Sequence, residues 1–160
     1  MSAPQAPGCL IMAEEQVVQA SCVVIAGRAL MIEGPPGSGK TSLALALLDR
    51  GAGLIGDDAV TLRRAGEHVI VLPPPNIAGL LELRGIGIVR LPLAEPAPLA
   101  LILALGEAHG PRLPEQVATR AILGVSIPVL AFDPGTIAPA PRAAWALAIH
   151  GLASPAHDPA

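Results

Sequence analysis

The stretch Gly34-Pro35-Pro36-Gly37-Ser38-Gly39-Lys40-Thr41 matches the pattern Gly, four residues, Gly, Lys and Ser or Thr, which is typical of a phosphate-binding loop. An apolar run at 29–32 predicts a strand before it, and 42–50 predicts a helix after it. A phosphate-binding loop joins a strand end to a helix start, so this context favours the match. Its glycines allow backbone N–H groups to face phosphate oxygens, and the helix start adds unpaired N–H groups. The alternative is a Gly/Pro-rich turn before an ordinary helix.

Two side chains of this loop predict chemistry. Lys40 would reach the β- and γ-phosphates of a nucleotide, and the Thr41 hydroxyl would bind Mg²⁺. The chain has 10 basic residues, and Lys40 is its single lysine. A composition that otherwise uses arginine keeps lysine at this position, which favours a functional loop.

The composition predicts one soluble domain. The chain has 160 residues, of which 52% are hydrophobic and 1% aromatic, so Ala, Leu, Ile and Val must build the core. We predict a single domain at 13–153, with disordered segments at 1–12 and 154–160. Mean hydropathy is high at +0.58. The longest apolar stretches, 98–105 and 122–132, are shorter than the ~20 residues of a membrane span and predict buried strands.

Charge and cysteine content exclude several classes of partner. The net charge is −3, without a basic block or stacking aromatics, so we expect neither a nucleic acid nor a membrane partner. Cys9 and Cys22 form neither a metal motif nor a disulfide framework. Because a signal peptide pattern is also missing from the sequence, we predict a cytoplasmic protein. The surplus of apolar residues favours a subunit interface.

Hydrophobic patterns predict the order of the elements. Apolar runs bounded by turn residues predict strands at 17–25, 29–32, 54–55, 60–62, 69–72, 80–83, 86–89, 99–105 and 125–130. Helical patterns occupy 41–50 and 142–150. Several neighbouring strands are joined by short turns, so the sequence predicts an α/β fold with a mixed, hairpin-rich sheet.

A carboxylate pair follows the short strand after the predicted helix. Asp57 and Asp58 would lie at the carboxyl end of a strand beside the loop, where a magnesium–nucleotide site needs carboxylates. Adjacent residues on an extended chain point to opposite faces, so one would face the γ-phosphate. We predict Asp57 as a metal ligand and Asp58 as an acceptor of a substrate proton. The alternative is a solvated turn.

The stretch Leu81-Glu82-Leu83-Arg84-Gly85-Ile86-Gly87-Ile88 places a carboxylate and a guanidinium beside two glycines. Glu82 would bind Mg²⁺ and Arg84 would hold phosphate. An internal ion pair between the two is the equally open alternative.

These three motifs together, in this order, resemble the catalytic domain of HPr kinase/phosphorylase. In that family a hairpin leads into the phosphate loop, an aspartate pair follows the helix, and a Glu-x-Arg-Gly-x-Gly-Ile signature comes later. The resemblance extends from about Gln19 to Ile149 and is closest to short forms without the N-terminal domain. It implies a P-loop kinase variant similar to the phosphoenolpyruvate carboxykinase nucleotide-binding fold, with a homo-oligomer that is usually a hexamer.

The resemblance also implies a function. It predicts an ATP- and Mg²⁺-dependent kinase that phosphorylates a serine of HPr, the phosphocarrier protein of the sugar phosphotransferase system. By this resemblance, Lys40 holds phosphates, and Thr41 and Glu82 are metal ligands. Asp58 is the base that accepts the serine proton, and Arg112 is a catalytic arginine.

Three positions depart from the family pattern. Gln19 replaces a histidine, Pro36 replaces a common serine, and Asp133-Pro134-Gly135-Thr136 replaces a basic Pro-Gly-Arg-Asn segment linked to dephosphorylation. These departures predict weak phosphorylase activity. Two other functions remain open: a nucleotide-binding regulatory protein with little or no phosphoryl transfer, and a small-metabolite kinase.

Overall fold

The computed structural model describes residues 14–76, 78–106 and 114–155, which form eleven strands and two helices. The strands are β1 Glu15–Val18, β2 Ser21–Ile25, β3 Arg28–Glu33, β4 Gly53–Gly56, β5 Val60–Ala65, β6 His68–Leu72, β7 Leu80–Leu83, β8 Gly87–Arg90, β9 Ala97–Ala104, β10 Ala118–Ile122 and β11 Val125–Ala131. The helices are α1 Lys40–Asp49 and α2 Pro139–His150.

Nine of the strands form one mixed sheet. Its order is β1-β5-β6-β9-β3-β2-β4, and β11 pairs with β9 and carries β10 at its other edge. The pairs β3–β9 and β9–β11 are parallel, whereas the other pairs of this sheet are antiparallel. The predicted mixed, hairpin-rich α/β sheet is therefore confirmed.

The alternating side chains of the central strand β3 divide the core into two layers. Leu30 and Ile32 face a layer that includes the buried side chains of α1 and α2. Ala29 and Met31 face the opposite layer, which contains buried residues of β5 and β6. Because strand side chains alternate between faces and both faces of β3 are covered, β3 is apolar from Ala29 to Ile32.

The strand directions bring several loops to one edge of the sheet. Strands β3, β9 and β11 are parallel to one another, and β4 runs the same way because both β3 and β4 are antiparallel to β2. Ligands of open α/β sheets bind beyond the carboxyl ends of such strands. The loop after β3 and the Asp57-Asp58 pair after β4 therefore lie on the same edge.

Strands β7 and β8 form a separate two-stranded hairpin. Leu81 anchors it, because its side chain is fully buried. Glu82 and Arg84, at its turn end, remain exposed. Glu82 and Arg84 form no ion pair with each other, which removes the alternative that the sequence left open for them.

The prediction of one continuous strand at 17–25 is wrong. The chain bends at Gln19 and Ala20, and the two halves have different partners: β1 pairs with β5, whereas β2 lies between β3 and β4. The backbone N–H of Ala20 donates a hydrogen bond to the carbonyl oxygen of Asp58 at 3.2 Å. This contact and the change of partner interrupt the strand although its side chains remain largely apolar.

The stretch 122–132 is not one buried strand, and strand β10 was not predicted. Leu123 and Gly124 have φ values of 50° and 83° and turn the chain between β10 and β11. Positive φ at both central residues is typical of the tight hairpin turns that match strand twist. Strand β10 is exposed at four of its five positions, so it lacks the apolar alternation by which strands are predicted.

The other predicted elements are close to the observed ones. Helix α2 begins at Pro139 rather than Arg142, because prolines are accepted in the first helical turn, where N–H groups have no helical partner. Within the described ranges, no helix is long and apolar enough to cross a membrane. The predicted disordered segment 1–12 and most of the predicted tail at 154–160 lie outside the described residues.

A pair of isoleucine substitutions tests the position of the core. Ile32 is fully buried between the helices and the sheet, whereas Ile149 on α2 is 67% exposed. We expect Ile32→Ala to lower the free energy of unfolding by about 2–5 kcal/mol, because it leaves a cavity. Ile149→Ala should change it by less than about 0.5 kcal/mol. Urea denaturation of both variants measures this, and equal losses would contradict the core described here.

Candidate functional site

The loop 34–41 lies against the end of β9. A Cβ atom at Gly34 would lie 2.8 Å from the carbonyl oxygen of Leu105 and 2.7 Å from Ser38 Oγ, so a side chain has no room there. Gly39 has φ 100°, which residues with a side chain rarely adopt. These two positions therefore need glycine for different reasons, one for close packing and one for backbone conformation.

The start of helix α1 has free hydrogen-bond donors. Gly39 is its N-cap and cannot cap with a side chain, and the first turn contains no acidic residue. The first N–H groups of a helix have no helical acceptors, and the helix dipole adds partial positive charge there. An anionic group such as phosphate therefore fits this helix end.

Lys40 is held by the loop itself. Its Nζ donates hydrogen bonds to the carbonyl oxygens of Gly34 at 2.7 Å and Pro35 at 3.1 Å. These contacts keep the ammonium group beside the loop that would bind phosphates. The predicted contact of Lys40 with nucleotide phosphates stays a prediction.

Asp57 is the buried carboxylate of the site, with 8% of its surface exposed. Its Oδ1 accepts hydrogen bonds from Ser21 Oγ at 2.6 Å and from Thr41 Oγ1 at 3.0 Å. Thr41 Oγ1 also lies 3.1 Å from Oδ2. Burial raises the pKa of the Asp57 carboxyl above its ordinary range, although the two hydroxyl donors lower it.

Asp58 does not lie on extended chain, so the prediction that the two aspartates alternate along a strand is wrong. Its φ is 66°, a left-handed conformation that aspartate tolerates better than most residues with a side chain. The backbone turn separates the two side chains: Asp57 is buried and Asp58 is exposed. Both nevertheless line the same cleft.

The cleft has a volume of about 510 Å³ and lies between the phosphate loop, the aspartate pair and the β7–β8 hairpin. It brings together nine residues that the sequence predicted as site residues: Pro36, Gly37, Gly39, Lys40, Thr41, Asp57, Asp58, Glu82 and Arg84. Gly34, Pro35 and Ser38 belong to the loop but not to the cleft lining. The predicted catalytic arginine, Arg112, lies outside the described residues.

Sequence reasoning missed Ser21 and the apolar part of the cleft. Leu45, Leu83 and Ile86 line the cleft beside the charged residues. Ser21 lies at the start of β2, fully buried, and contacts Asp57. A signal was present, because a serine in a strand of otherwise apolar residues needs a hydrogen-bond partner.

These residues fit a magnesium-bound nucleotide. Within the described ranges, no three His, Cys, Asp or Glu side chains form a cluster that could hold a metal alone. Magnesium is usually bound by one or two carboxylates together with substrate phosphates, so such a cluster is not needed. Ser38 Oγ is buried in the loop and has no hydrogen-bond partner among the described residues, so the loop holds one further donor.

The fold and the cleft define the class: a mixed α/β domain with a phosphate-loop motif and two aspartates at one sheet edge, and a separate hairpin that brings Glu82 and Arg84 to the same cleft. The family model described as the HPr serine kinase C-terminal domain matches residues 11–94. The chain therefore belongs to this family.

Two relatives show the extent of the similarity. The chain is 32% identical over 134 residues to the HPr kinase/phosphorylase of Chlorobium phaeobacteroides (strain BS1), which covers 75% of this chain and 40% of that protein. It is 36% identical over 115 residues to the HPr kinase/phosphorylase of Bordetella pertussis, a match that covers 64% of this chain and 37% of that protein. The chain thus spans about 40% of the length of the curated relatives that it matches.

The fold is also similar to a solved structure, that of the Hpr(Ser) kinase/phosphatase from Coxiella burnetii. The TM-score is 0.65 at 26% sequence identity, over 81% of this chain and 87% of that one. The structural match extends the similarity beyond the residues of the family model. It agrees with the extent of the resemblance predicted from the sequence.

Burial of Asp57 predicts a pH-dependent stability. Because its pKa is raised in the folded state, the folded protein binds a proton more readily than the unfolded chain does. The Asp57 contribution to stability is therefore most favourable below the ordinary aspartate pKa of about 3.9 and is lost as pH rises through the folded pKa. We expect Asp57→Asn to raise the free energy of unfolding at pH 7, with the gain over wild type shrinking as pH falls toward 4.

The measurement is urea denaturation of both proteins from pH 4 to pH 8. Glu67→Gln is the control, because Glu67 is exposed in the β5–β6 turn. A wild-type advantage at pH 7, with Glu67→Gln unchanged, would show that the hydrogen bonds to the Asp57 carboxylate outweigh its desolvation.

Proposed function

We propose that this chain is an ATP- and Mg²⁺-dependent serine kinase that phosphorylates HPr. The observation that supports this most is the hydrogen-bonded pair Thr41–Asp57, which joins the phosphate loop to the aspartate pair across the cleft. Membership of the HPr serine kinase C-terminal domain family supports the same activity and acceptor.

The nucleotide phosphates would be bound by the loop and the start of α1. Backbone N–H groups at the helix start donate to phosphate oxygens, and the helix dipole favours their negative charge. Lys40 would exchange its contacts with the Gly34 and Pro35 carbonyls for the β- and γ-phosphates. Since its ammonium group already lies beside the loop, this exchange needs rotation of one side chain.

The metal would be held at the Thr41 end of the loop. Thr41 and Asp57 are the ligand candidates on the sheet edge, and Glu82 is the candidate on the hairpin. Thr41, Asp57 and Glu82 would hold Mg²⁺, which would supply positive charge against the negative charge that develops during transfer. The Thr41 hydroxyl would keep donating its hydrogen bond to Asp57, which leaves the lone pairs of the hydroxyl oxygen for the metal.

Phosphoryl transfer needs an acceptor for the serine proton, and we assign this role to Asp58. Its carboxylate is exposed and lines the cleft, whereas that of Asp57 is occupied by two hydroxyl donors. The serine oxygen would form a bond to the γ-phosphorus as the bond to the β-phosphate oxygen breaks. The hydroxyl proton would pass to Asp58, and Arg84 would contact the transferred group.

Substitution of Asp58 tests this assignment. We expect Asp58→Asn to reduce transfer of the γ-phosphoryl to HPr by about 10²- to 10⁴-fold, the usual range for a positioned general base. ATP affinity should stay near the wild-type value, because Asp58 does not contact the loop. The assay incubates each protein with labelled ATP, Mg²⁺ and purified HPr.

The same assay separates the alternatives. Labelled HPr supports the proposed kinase. If the Asp58→Asn variant transferred phosphate at the wild-type rate, the role of Asp58 would be refuted, but the proposed kinase activity would not. Tight ATP binding without labelled HPr would instead indicate the nucleotide-binding regulator, or a kinase whose acceptor is a small metabolite. Glu67→Gln serves as the control for surface charge, because Glu67 is exposed in the turn after β5, whereas Asp58 lies before the other end of that strand.

We also propose that the enzyme favours phosphorylation over phosphate-dependent dephosphorylation. Gln19 is exposed beside Ala20, whose N–H contacts the backbone of Asp58. A histidine there, with a pKa near ~6.5, would influence the protonation of a nearby carboxylate by its charge, whereas glutamine stays neutral. The reverse reaction requires Asp58 to return a proton, so it should suffer more than the forward one.

Restoring the histidine tests this bias. We expect Gln19→His to increase dephosphorylation of phospho-HPr more than it increases phosphorylation, each rate being measured at saturating phosphate or ATP. Gln16→His, on the exposed strand β1, is the control. Rapid dephosphorylation by the unsubstituted protein would contradict the proposed bias, and unchanged rates would show that Gln19 merely occupies the bend.

A further inference from the structure

Ser21 is the buried polar residue closest to the proposed metal site that the assignments above leave without a role. It opens strand β2, whose other residues are apolar, and none of its surface is exposed. Its hydroxyl donates a hydrogen bond to Asp57 Oδ1 at 2.6 Å, across 36 positions of sequence. A fully buried hydroxyl that bonds to a carboxylate of the cleft constrains the position of that carboxylate.

The contacts of Ser21 and Thr41 constrain the Asp57 carboxylate in different ways. Thr41 Oγ1 lies at nearly equal distances, 3.0 and 3.1 Å, from the two carboxylate oxygens. A donor shared in this way does not distinguish one carboxylate oxygen from the other. Ser21 bonds to Oδ1 at a shorter distance, so it selects which oxygen faces β2.

The start of β2 also holds the next aspartate. The N–H of Ala20 donates to the carbonyl oxygen of Asp58 at 3.2 Å, where the backbone of Asp58 has its left-handed conformation. Two neighbouring residues therefore bond to the two aspartates: Ala20, just before β2, through its backbone, and Ser21, at the start of β2, through its side chain.

We propose that Ser21 is a positioning residue, which orients the Asp57 carboxylate so that Asp57 and Thr41 together bind the Mg²⁺ of the nucleotide. This inference rests on the proposed function. Without the Ser21 hydroxyl, the carboxylate keeps Thr41 as its side-chain donor and rotates more freely. Hydrogen bonds to metal ligands orient those ligands, and their loss weakens metal binding.

The test measures ATP affinity by calorimetry over a range of Mg²⁺ concentrations and again with the metal removed by a chelator. For Ser21→Ala, we expect the Mg²⁺ concentration that gives the half-maximal increase in ATP affinity to rise about 10- to 100-fold. Affinity for ATP without Mg²⁺ should remain at the wild-type value, because Ser21 has no contact with the phosphate loop. Ser21→Thr retains the hydroxyl and should restore the wild-type Mg²⁺ dependence.

Cys22→Ala is the matched control. Cys22 is the next residue of β2 and is also fully buried, but its side chain belongs to the core layer on the other face of the sheet. Removing its sulfur tests the effect of a lost buried atom in the same strand. Thermal unfolding of each variant confirms that the proteins compared are folded.

The outcomes separate this inference from the proposed function. If Ser21→Ala and Cys22→Ala show the same Mg²⁺ dependence as the wild type, Ser21 has no positioning role, and the proposed kinase is unaffected. If the wild type binds no ATP with or without Mg²⁺, both the proposed function and the role of Ser21 are refuted. If Ser21→Ala does not fold, Ser21→Cys gives the same comparison, because a thiol fills the space but donates weakly.

Discussion

The hydrogen bonds that Thr41 and Ser21 donate to the buried carboxylate of Asp57 join three parts of the chain: the start of α1, the start of β2 and the end of β4. A carboxylate with 8% of its surface exposed is costly to keep charged unless donors surround it. The three elements must therefore keep their relative positions. This requirement places the phosphate loop beside the aspartate pair.

The free-energy cost of burying the Asp57 carboxylate is offset by the apolar core of the domain. Burial raises the pKa of Asp57, so its charged form opposes folding at neutral pH. The two core layers on either side of β3 consist of aliphatic residues with Phe132, Met31 and Cys22 among them. Burying such side chains contributes about 1.5–3 kcal/mol each before entropy is subtracted. The domain can retain this unfavourable charge because the two core layers stabilise the fold that holds it.

Much of the fold was predictable because local signals agree with the tertiary structure. The phosphate loop, its helix and the hairpins have turn residues and apolar runs that need no distant partner to be recognised. Strand β10 has exposed side chains, so it lacks an apolar run, and the turn after it passes through Leu123, which is not a typical turn residue. Neither of these local signals therefore indicated the strand. The break at Gln19 and Ala20 and the left-handed Asp58 depend on a contact between segments nearly forty residues apart, which periodicity cannot reveal. The serine in β2 indicated that Ser21 needs a hydrogen-bond partner, but its partner Asp57 lies 36 residues away and could not be identified from the sequence.

The charges of the cleft determine how its ligands can be bound. Three carboxylates, Asp57, Asp58 and Glu82, line it with two cationic side chains, Lys40 and Arg84. Nucleotide phosphates carry negative charge, so without a metal they would meet carboxylates that repel them as well as a loop that attracts them. A divalent cation between the two would convert this repulsion into attraction on both sides, because interactions in a partly buried cleft are less screened than in water. Under the proposed function, metal and nucleotide binding would therefore be coupled in this cleft, and the coupling would depend on how Thr41 and Asp57 are held.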